Sequence, residues 1–385
     1  ILHRLVGSEM CIRDRAKELI SRKSITPSDG GCLKFTADYL EKLGFQNEFM
    51  PFEDVDNIWS VYDNGGPLLF FLGHVDVVPT GPEKLWTHDP FAAVEDEKFI
   101  HGRGACDMKG GVAAFLAALK NTDLEKLKYS LAVLLTSDEE GPAKNGTKMV
   151  IKELVNRGQS FDYCIVGEPS SIENTADNIR VGRRGSVNID LKILGKQGHS
   201  AYPDKVDNPI HKAAKLVDFL NSIEWDSGDE YFPATSLQVA DIHGGLGTHN
   251  VVPGELNLKI NIRHNPKTSY EKIQKTIVNY LEENKIKYEI NFDSNAKPFY
   301  SNPNQLADSV SEAVKNVMGK KPKISCSGGT SDGRFVAETD AEIVEIGPKF
   351  ETIHKIDEKI EKKELNKLTK IYEQTLLNLN GKVKS

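Results

Sequence analysis

Two histidines and several carboxylates stand out because each lies in a glycine-bearing turn or just after an apolar stretch. Gly73-His74-Val75-Asp76 follows residues 68–72, and Ser137-Asp138-Glu139-Glu140-Gly141 follows residues 131–136. Gly167-Glu168-Pro169 follows residues 163–166, and Thr352-Ile353-His354-Lys355 follows residues 343–346. A fifth segment, Gly102-Arg103-Gly104-Ala105-Cys106-Asp107-Met108-Lys109-Gly110-Gly111, opens an Ala-rich helical stretch. Imidazoles and carboxylates without thiolates are a ligand set for zinc or a similar divalent metal. Two metals ~3.5–4 Å apart need a bridging carboxylate and further ligands on each side. His74, Asp107, Glu140, Glu168 and His354 supply that number. Taken singly, Asp107 also reads as a helix cap, Glu139-Glu140 as a solvated turn and His74 as a structural histidine. The coincidence of five such segments favours the metal reading.

Local geometry adds two expectations. Consecutive side chains on an extended backbone point to opposite sides. One of Glu139 and Glu140 is therefore expected to ligate, while the other faces the substrate as a general base. Asp76 is two residues from His74, so its carboxylate is expected to accept the second ring N–H and fix the tautomer.

The elements that must hold these residues alternate between helix and strand. Helical spacing covers residues 32–43, with Gly44 as a stop, then 110–120 and 147–155. Short apolar strands are expected at 67–72, 131–136 and 163–166, and the pattern resumes at 343–346, which together imply a mostly parallel α/β sheet flanked by helices. Ligands in such a sheet gather at the carboxyl ends of the strands. The texture changes near Gly182. Val187, Ile189, Leu191 and Ile193 alternate with polar residues, as do Leu256, Leu258, Ile260 and Ile262. Period-2 alternation gives an antiparallel sheet with one wet face. With helices at 209–220 and 270–281, residues 181–294 read as an inserted α+β domain. The flanking parts, 16–180 and 295–385, form one catalytic domain. It ends on an amphipathic helix carrying Leu365, Leu368, Ile371, Tyr372 and Leu376.

Composition bounds the partners. The 385 residues are 39 % hydrophobic and 27 % charged, the balance of a globular chain. A net charge of −7 with no basic patch argues against nucleic acid. No apolar run approaches the ~18 residues of a membrane span, so no membrane partner is expected. Five scattered cysteines without a C-x-x-C pair argue against a disulfide framework and suit a reducing cytoplasm. Residues 1–15 (ILHRLVGSEMCIRDR) resemble translated sequencing-adapter read-through and are expected to lie outside the native fold.

GHVDVVPTG, GRGACDMKGG, SDEEG, VGEPS and TIHK, in this order, resemble the M20 family of metallopeptidases, which are co-catalytic zinc amidohydrolases. The resemblance runs from about Ala16 to near the end of the chain. It implies a zinc-peptidase α/β domain, with the inserted domain acting as lid and dimerisation surface of a homodimer. It also implies two Zn2+ per subunit, for which Co2+ can substitute. His74, Asp107 and Glu168 would hold one metal, and Asp107, Glu140 and His354 the other, with Asp107 bridging. Glu139 would be the general acid/base, Asp76 the partner of His74, and His199 a donor to the oxyanion of the neighbouring subunit's site.

Further segments resemble the branch of the family that acts on a small molecule, N-succinyl-L,L-2,6-diaminopimelate, in the bacterial cytoplasm. They are VGRRGS (181–186), GHSAYPDKVDNPIHKAA (198–214), FPATSLQ (232–238), HNVVPGEL (249–256) and SGGTSDGRF (327–335). By that resemblance Arg183, Arg184, Ser186, Tyr202, Asn250, Arg263, Gly329, Thr330 and Arg334 bind the substrate's carboxylates. Arg forks, hydroxyls and backbone donors suit that task. Phe350 departs from the branch, which often has Asn four residues before the TIHK histidine. Sibling deacetylases, aminoacylases and dipeptidases, and a catalytically silent metal-binding homologue, are the alternatives.

Overall fold

The computed structural model describes residues 11–383, with the side chain of Asn295 excepted. The chain divides into two compact units. The first comprises Ile1–Gly182, Tyr300–Ser325 and Ser331–Ser385, and the second Arg183–Phe299 with Cys326–Thr330. The second unit thus begins two residues after the expected boundary at 181. It ends later than 294, because the strand Lys287–Ala296 runs through that point, and it also takes in Cys326–Thr330.

The first unit is built on an eight-stranded sheet. Its spatial order is Gln46–Phe49, Asn57–Tyr62, Ser130–Thr136, Leu68–His74, Tyr163–Val166, Glu342–Glu345, Asn178–Arg180, Lys323–Ser325. The four strands from Ser130–Thr136 to Glu342–Glu345 run parallel to one another. The Asn57–Tyr62 strand joins antiparallel on one side. Leu68–His74 and Ser130–Thr136 are buried along their whole length, as strands covered on both faces must be. Four of the eight strands, Gln46–Phe49, Asn57–Tyr62, Asn178–Arg180 and Lys323–Ser325, were not expected. They are short or lack a bare apolar run.

The helix Gly110–Asn121 is buried from Gly110 to Leu119. It packs against the C-terminal helix Lys362–Lys382 through Phe115 and Tyr372, whose rings meet edge to face at 5.5 Å. A Cβ on Gly111 would stand 2.6 Å from the Gly167 carbonyl oxygen. The missing side chain therefore lets this helix, which follows Asp107, lie directly against the turn before Glu168.

The helix Ile12–Ser21 corrects the expected start of the fold. Residues 1–10 lie outside the described residues, but Ile12 to Arg15 belong to a packed helix. Arg15 is 1 % exposed, its guanidinium stacks 4.3 Å from the Tyr39 ring, and Nη2 donates to Tyr39 Oη at 2.8 Å.

The second unit is a four-stranded antiparallel sheet in the order Ser236–Gly244, Glu255–His264, Gly185–Leu194, Lys287–Ala296. The alternating apolar residues of Gly185–Leu194 and Glu255–His264 form its buried face. Ala213, Leu216 and Leu220 of helix Pro209–Ser222, and Ile273, Ile277 and Leu281 of helix Tyr270–Glu283, cover that face. Both helices start on side-chain caps: Asn208 accepts from Ile210 N–H and Ser269 from Lys272 N–H. Among the described residues no helix is long and apolar enough to cross a membrane, and all five cysteines are free.

Candidate metal centre

Parallel register aligns the strand ends that carry the site. His74 lies beside Thr136, and Leu72 beside Val166, so the 137–140 and 167–168 turns leave the sheet at the level of His74. His74 is 1 % exposed. Its Nδ1–H donates to the backbone oxygen of Asp76 at 2.9 Å, which turns Nε2 toward Asp107 Oδ1 at 3.2 Å and Glu168 Oε1 at 3.4 Å. Asp107 is presented by a non-helical break (φ −121°, ψ 97°) just before the Gly110 helix. Its second oxygen, Oδ2, faces His354 Nε2 at 3.3 Å, and Glu140 Oε1 lies 3.0 Å from the same nitrogen. The two oxygens of one carboxylate thus address two histidines, each with a further carboxylate beside it. Ligand atoms of His74, Asp107 and Glu168 lie within 4.8 Å of one another, and so do those of Asp107, Glu140 and His354.

Two geometric expectations are corrected. The Asp76 backbone carbonyl, rather than its carboxylate, takes the His74 ring hydrogen; the nearer carboxylate oxygen is 3.6 Å away. The carboxylate instead accepts the backbone N–H groups of Glu139 (3.3 Å) and Glu140 (3.1 Å). The 137–141 segment is bent rather than extended, because Asp138 also gathers the N–H groups of Ala143, Lys144 and Asn145. Strand alternation therefore does not apply, and both Glu139 and Glu140 bring an oxygen within 4.8 Å of His74 and of each other. Asp138 had no expected role, although an Asp before a glycine turn is a common turn-former.

The charges are strongly coupled. Burial, reinforced by the nearby Glu168 charge, pushes the Glu139 carboxyl well above its usual range. Burial pushes Glu140 up to about 7, against the pull of His354. Hydrogen bonding to Asp107 and Glu140 raises His354 to about 10. His74 is also raised, because Asp107 and Glu168 outweigh the cost of burying its charge. Asp107 is held low by His354 and His74 despite its burial. Carboxylates crowded around imidazoles in this way fit cations in their midst, and the oxygen and nitrogen donor set suits two divalent metals. Cys106 is not part of it. Its Sγ faces Glu358 Oε1 at 3.3 Å and Thr352 Oγ1 at 3.5 Å, and burial raises the thiol pKa.

The remaining expected residues fall in both units. In the second unit, cross-strand register sets Ser186 and Ser236 on either side of Arg263. Arg184 Nη1 donates to Ser236 Oγ at 3.1 Å and Arg183 Nη1 to Gly329 O at 3.2 Å. Burial, then the charges of Arg184 and Arg183, lower the pKa of Arg263, so three guanidiniums share one neighbourhood. Gly329 and Thr330 lie in the Cys326–Thr330 stretch of the same unit. His199 sits on a two-residue strand paired with Val251 and Val252, 5.7 Å from the Tyr202 ring, while the Asn250 carbonyl accepts from Ser200 N–H. Ala201 N–H donates to His199 Nδ1 at 3.1 Å, so a neutral His199 carries its hydrogen on Nε2. In the first unit, Arg334 faces Asp332 at 3.8 Å, and the exposed Phe350 ring lies 5.7 Å from the buried Arg180 guanidinium.

Comparison with known proteins follows the same lines. The sequence model of Peptidase family M20/M25/M40 matches residues 70–378. A succinyl-diaminopimelate desuccinylase of Hydrogenovibrio crunogenus is 46 % identical over 369 residues, covering 94 % of this chain and 97 % of the relative. One from Psychromonas ingrahamii is 47 % identical over 365 residues, with the same coverage of 94 % and 97 %. Among solved structures, the M20 family metallo-carboxypeptidase Sso-CP2 from Sulfolobus solfataricus superposes with a TM-score of 0.81 at 19 % identity, covering 95 % of this chain and 98 % of that one. A dinuclear metal binding peptidase of the M20 family from Bacillus subtilis gives 0.70 at 15 % identity, covering 96 % and 97 %. At such identities these two likenesses speak for the fold alone.

Proposed function

The chain belongs to peptidase family M20/M25/M40, and on that premise we propose that it hydrolyses N-succinyl-L,L-2,6-diaminopimelate to succinate and L,L-2,6-diaminopimelate in the bacterial cytoplasm, for lysine and cell-wall synthesis. It is a metal-dependent amide hydrolase acting on a small molecule. The observation that carries the chemistry is the Asp107 carboxylate, with one oxygen toward His74 and the other toward His354. His74, Asp107 and Glu168 would hold one Zn2+, and Asp107, Glu140 and His354 the second, with Co2+ an acceptable substitute. When bound, such a pair lowers the pKa of a shared water toward ~7 and polarises the amide carbonyl.

The protein's own groups do the rest. Glu139 accepts a proton from the attacking water and later delivers it to the leaving amine. Its backbone is tied to Asp76, so the side chain starts from a fixed point. His199, neutral with its hydrogen on Nε2, donates to the developing oxyanion, and it does so from the other subunit of a homodimer formed through the inserted domain. Arg183, Arg184, Arg263 and Arg334 recognise the substrate's carboxylates, with Ser186, Tyr202, Asn250, Gly329 and Thr330 supplying hydroxyl, amide and backbone partners.

A panel of acylated substrates, run beside a metal count per chain, tests this reading. Faster turnover of the succinyl compound than of N-acetyl-ornithine or dipeptides, at two metals per chain, is the expected result. Preference for one of the other substrates would overturn the specificity, and activity indifferent to chelators would overturn the metal chemistry.

A further inference from the structure

Glu358 lies four residues after His354, has a fully buried carboxylate, and has no role in the chemistry described above. Its two oxygens are nevertheless committed to the turn that presents Asp107. Oε1 accepts from Cys106 N–H at 3.0 Å and Asp107 N–H at 3.2 Å, and lies 3.3 Å from Cys106 Sγ. Oε2 accepts from Gly104 N–H at 3.0 Å and from Arg103 Nη1 at 2.8 Å. Three backbone donors of one turn, those of Gly104, Cys106 and Asp107, thus converge on one carboxylate, much as in the anion-binding nests of tight turns.

The same residue is anchored on the His354 side. Its backbone carbonyl accepts from Gly102 N–H at 2.9 Å, and Arg103 Nη1 also donates to Lys355 O at 3.1 Å. His354 and Asp357 both adopt positive φ, 58° each, so the chain doubles back tightly between the histidine and Glu358. The strand Lys359–Glu361 then pairs with Phe99–His101, just before the Asp107 turn. Asp107 and His354 are remote in sequence, yet this one side chain locks their segments together.

We infer that Glu358 is a positioning residue for the bimetallic centre: it fixes the Asp107 carboxylate between His74 and His354, so that both metals can share it. The inference rests on the dimetal reading above. A ligand held by no such partner would have to be ordered by the metal itself, which weakens binding. Partners of this kind typically contribute 10–100-fold to metal affinity. Neutral Glu358→Gln keeps the volume but turns one oxygen into an NH2 group, which cannot accept from Arg103 or from a backbone N–H.

The test is Co2+ titration of metal-free protein, read by visible absorption and chelator competition, for wild type, Glu358→Gln and Glu358→Asp. Wild type should bind two Co2+. Glu358→Gln should bind both at least tenfold more weakly and with an altered spectrum, and kcat should fall with KM nearly unchanged. Glu358→Asp keeps the charge with a shorter reach and should fall between the two. It also carries the test if the Gln variant does not fold. Wild-type affinity and spectrum in either folded variant would overturn the inference while leaving the dimetal reading intact. A wild type that binds no metal would overturn both.

Discussion

Gly111→Ala sets two opposing effects against each other. Replacing glycine by alanine inside a helix ordinarily stabilises by up to ~1 kcal/mol, and less near the first turn. Here the new Cβ would lie 2.6 Å from the Gly167 carbonyl oxygen and 3.5 Å from Pro348 Cδ. A separation under 3.0 Å is not tolerated, and the obstacle is backbone, which cannot rotate aside. The helix or the 167–168 turn must retreat by several tenths of an ångström in a packed interior, at a cost of about 1–3 kcal/mol. Overpacking should win, for a net loss of roughly 1–2 kcal/mol, or a few degrees of melting temperature. The strain falls on the residue before Glu168, so a metal bound at His74, Asp107 and Glu168, as proposed, should weaken more than one bound at Asp107, Glu140 and His354. Circular-dichroism melting of metal-free protein and a two-site Co2+ titration read both effects. Gly381→Ala is the control, because nothing stands within 4 Å of its would-be Cβ, and it should not lower stability. A Gly111→Ala protein that melts at or above wild type, with both metals bound normally, would refute the close-approach argument.

Four further outcomes are expected. Glu139→Gln should abolish turnover while two metals remain bound, whereas Glu140→Gln should weaken one site, because a ligand charge is lost; metal loss in the Glu139 variant would reverse the assignment. Cys106→Ala should keep two metals per chain and most activity, since the thiol faces Glu358 and Thr352, and loss of one metal would make it a ligand after all. Metal-free protein at pH 7.5 should release protons on loading Zn2+, because His354 (about 10) and the raised His74 hold protons that ligation must expel. Calorimetry in buffers of different ionisation enthalpy measures that release, and buffer-independent heats would contradict it; by the same sign, affinity should fall as pH drops. Mixing inactive Glu139→Ala and His199→Ala chains should restore about a quarter of wild-type activity if His199 serves its partner's site, and none if it serves its own.

The legible part of the fold was the part whose burial imposes a period. The apolar runs that became Leu68–His74 and Ser130–Thr136 are buried on both faces, and the alternating runs of the inserted sheet have one covered face. The Asn178–Arg180 and Lys323–Ser325 strands, three residues each, are too short to carry a period. The Ile12–Ser21 helix escaped because the odd composition of residues 1–15 masked a sound amphipathic start, in which Arg15 is buried by stacking on Tyr39 rather than by being apolar.

At the site, residue type pointed to His74, Asp107, Glu139, Glu140, Glu168 and His354, which the fold brings together, but not to how the backbone would aim them. His74 and Glu168 follow strands whose register fixes their height, so their meeting follows from topology. Asp107 and the Glu139–Glu140 pair depend instead on carboxylates spent on backbone N–H groups: Asp76 and Asp138 shape one turn, and Glu358 holds the other. Such bonds leave no periodic trace, because the acceptor can lie anywhere in the chain and only its burial makes it necessary. An acidic residue close to a metal ligand is easily read as another ligand or as surface charge. In this protein several of them instead supply the fixed framework that lets His74, Asp107, Glu140, Glu168 and His354 converge.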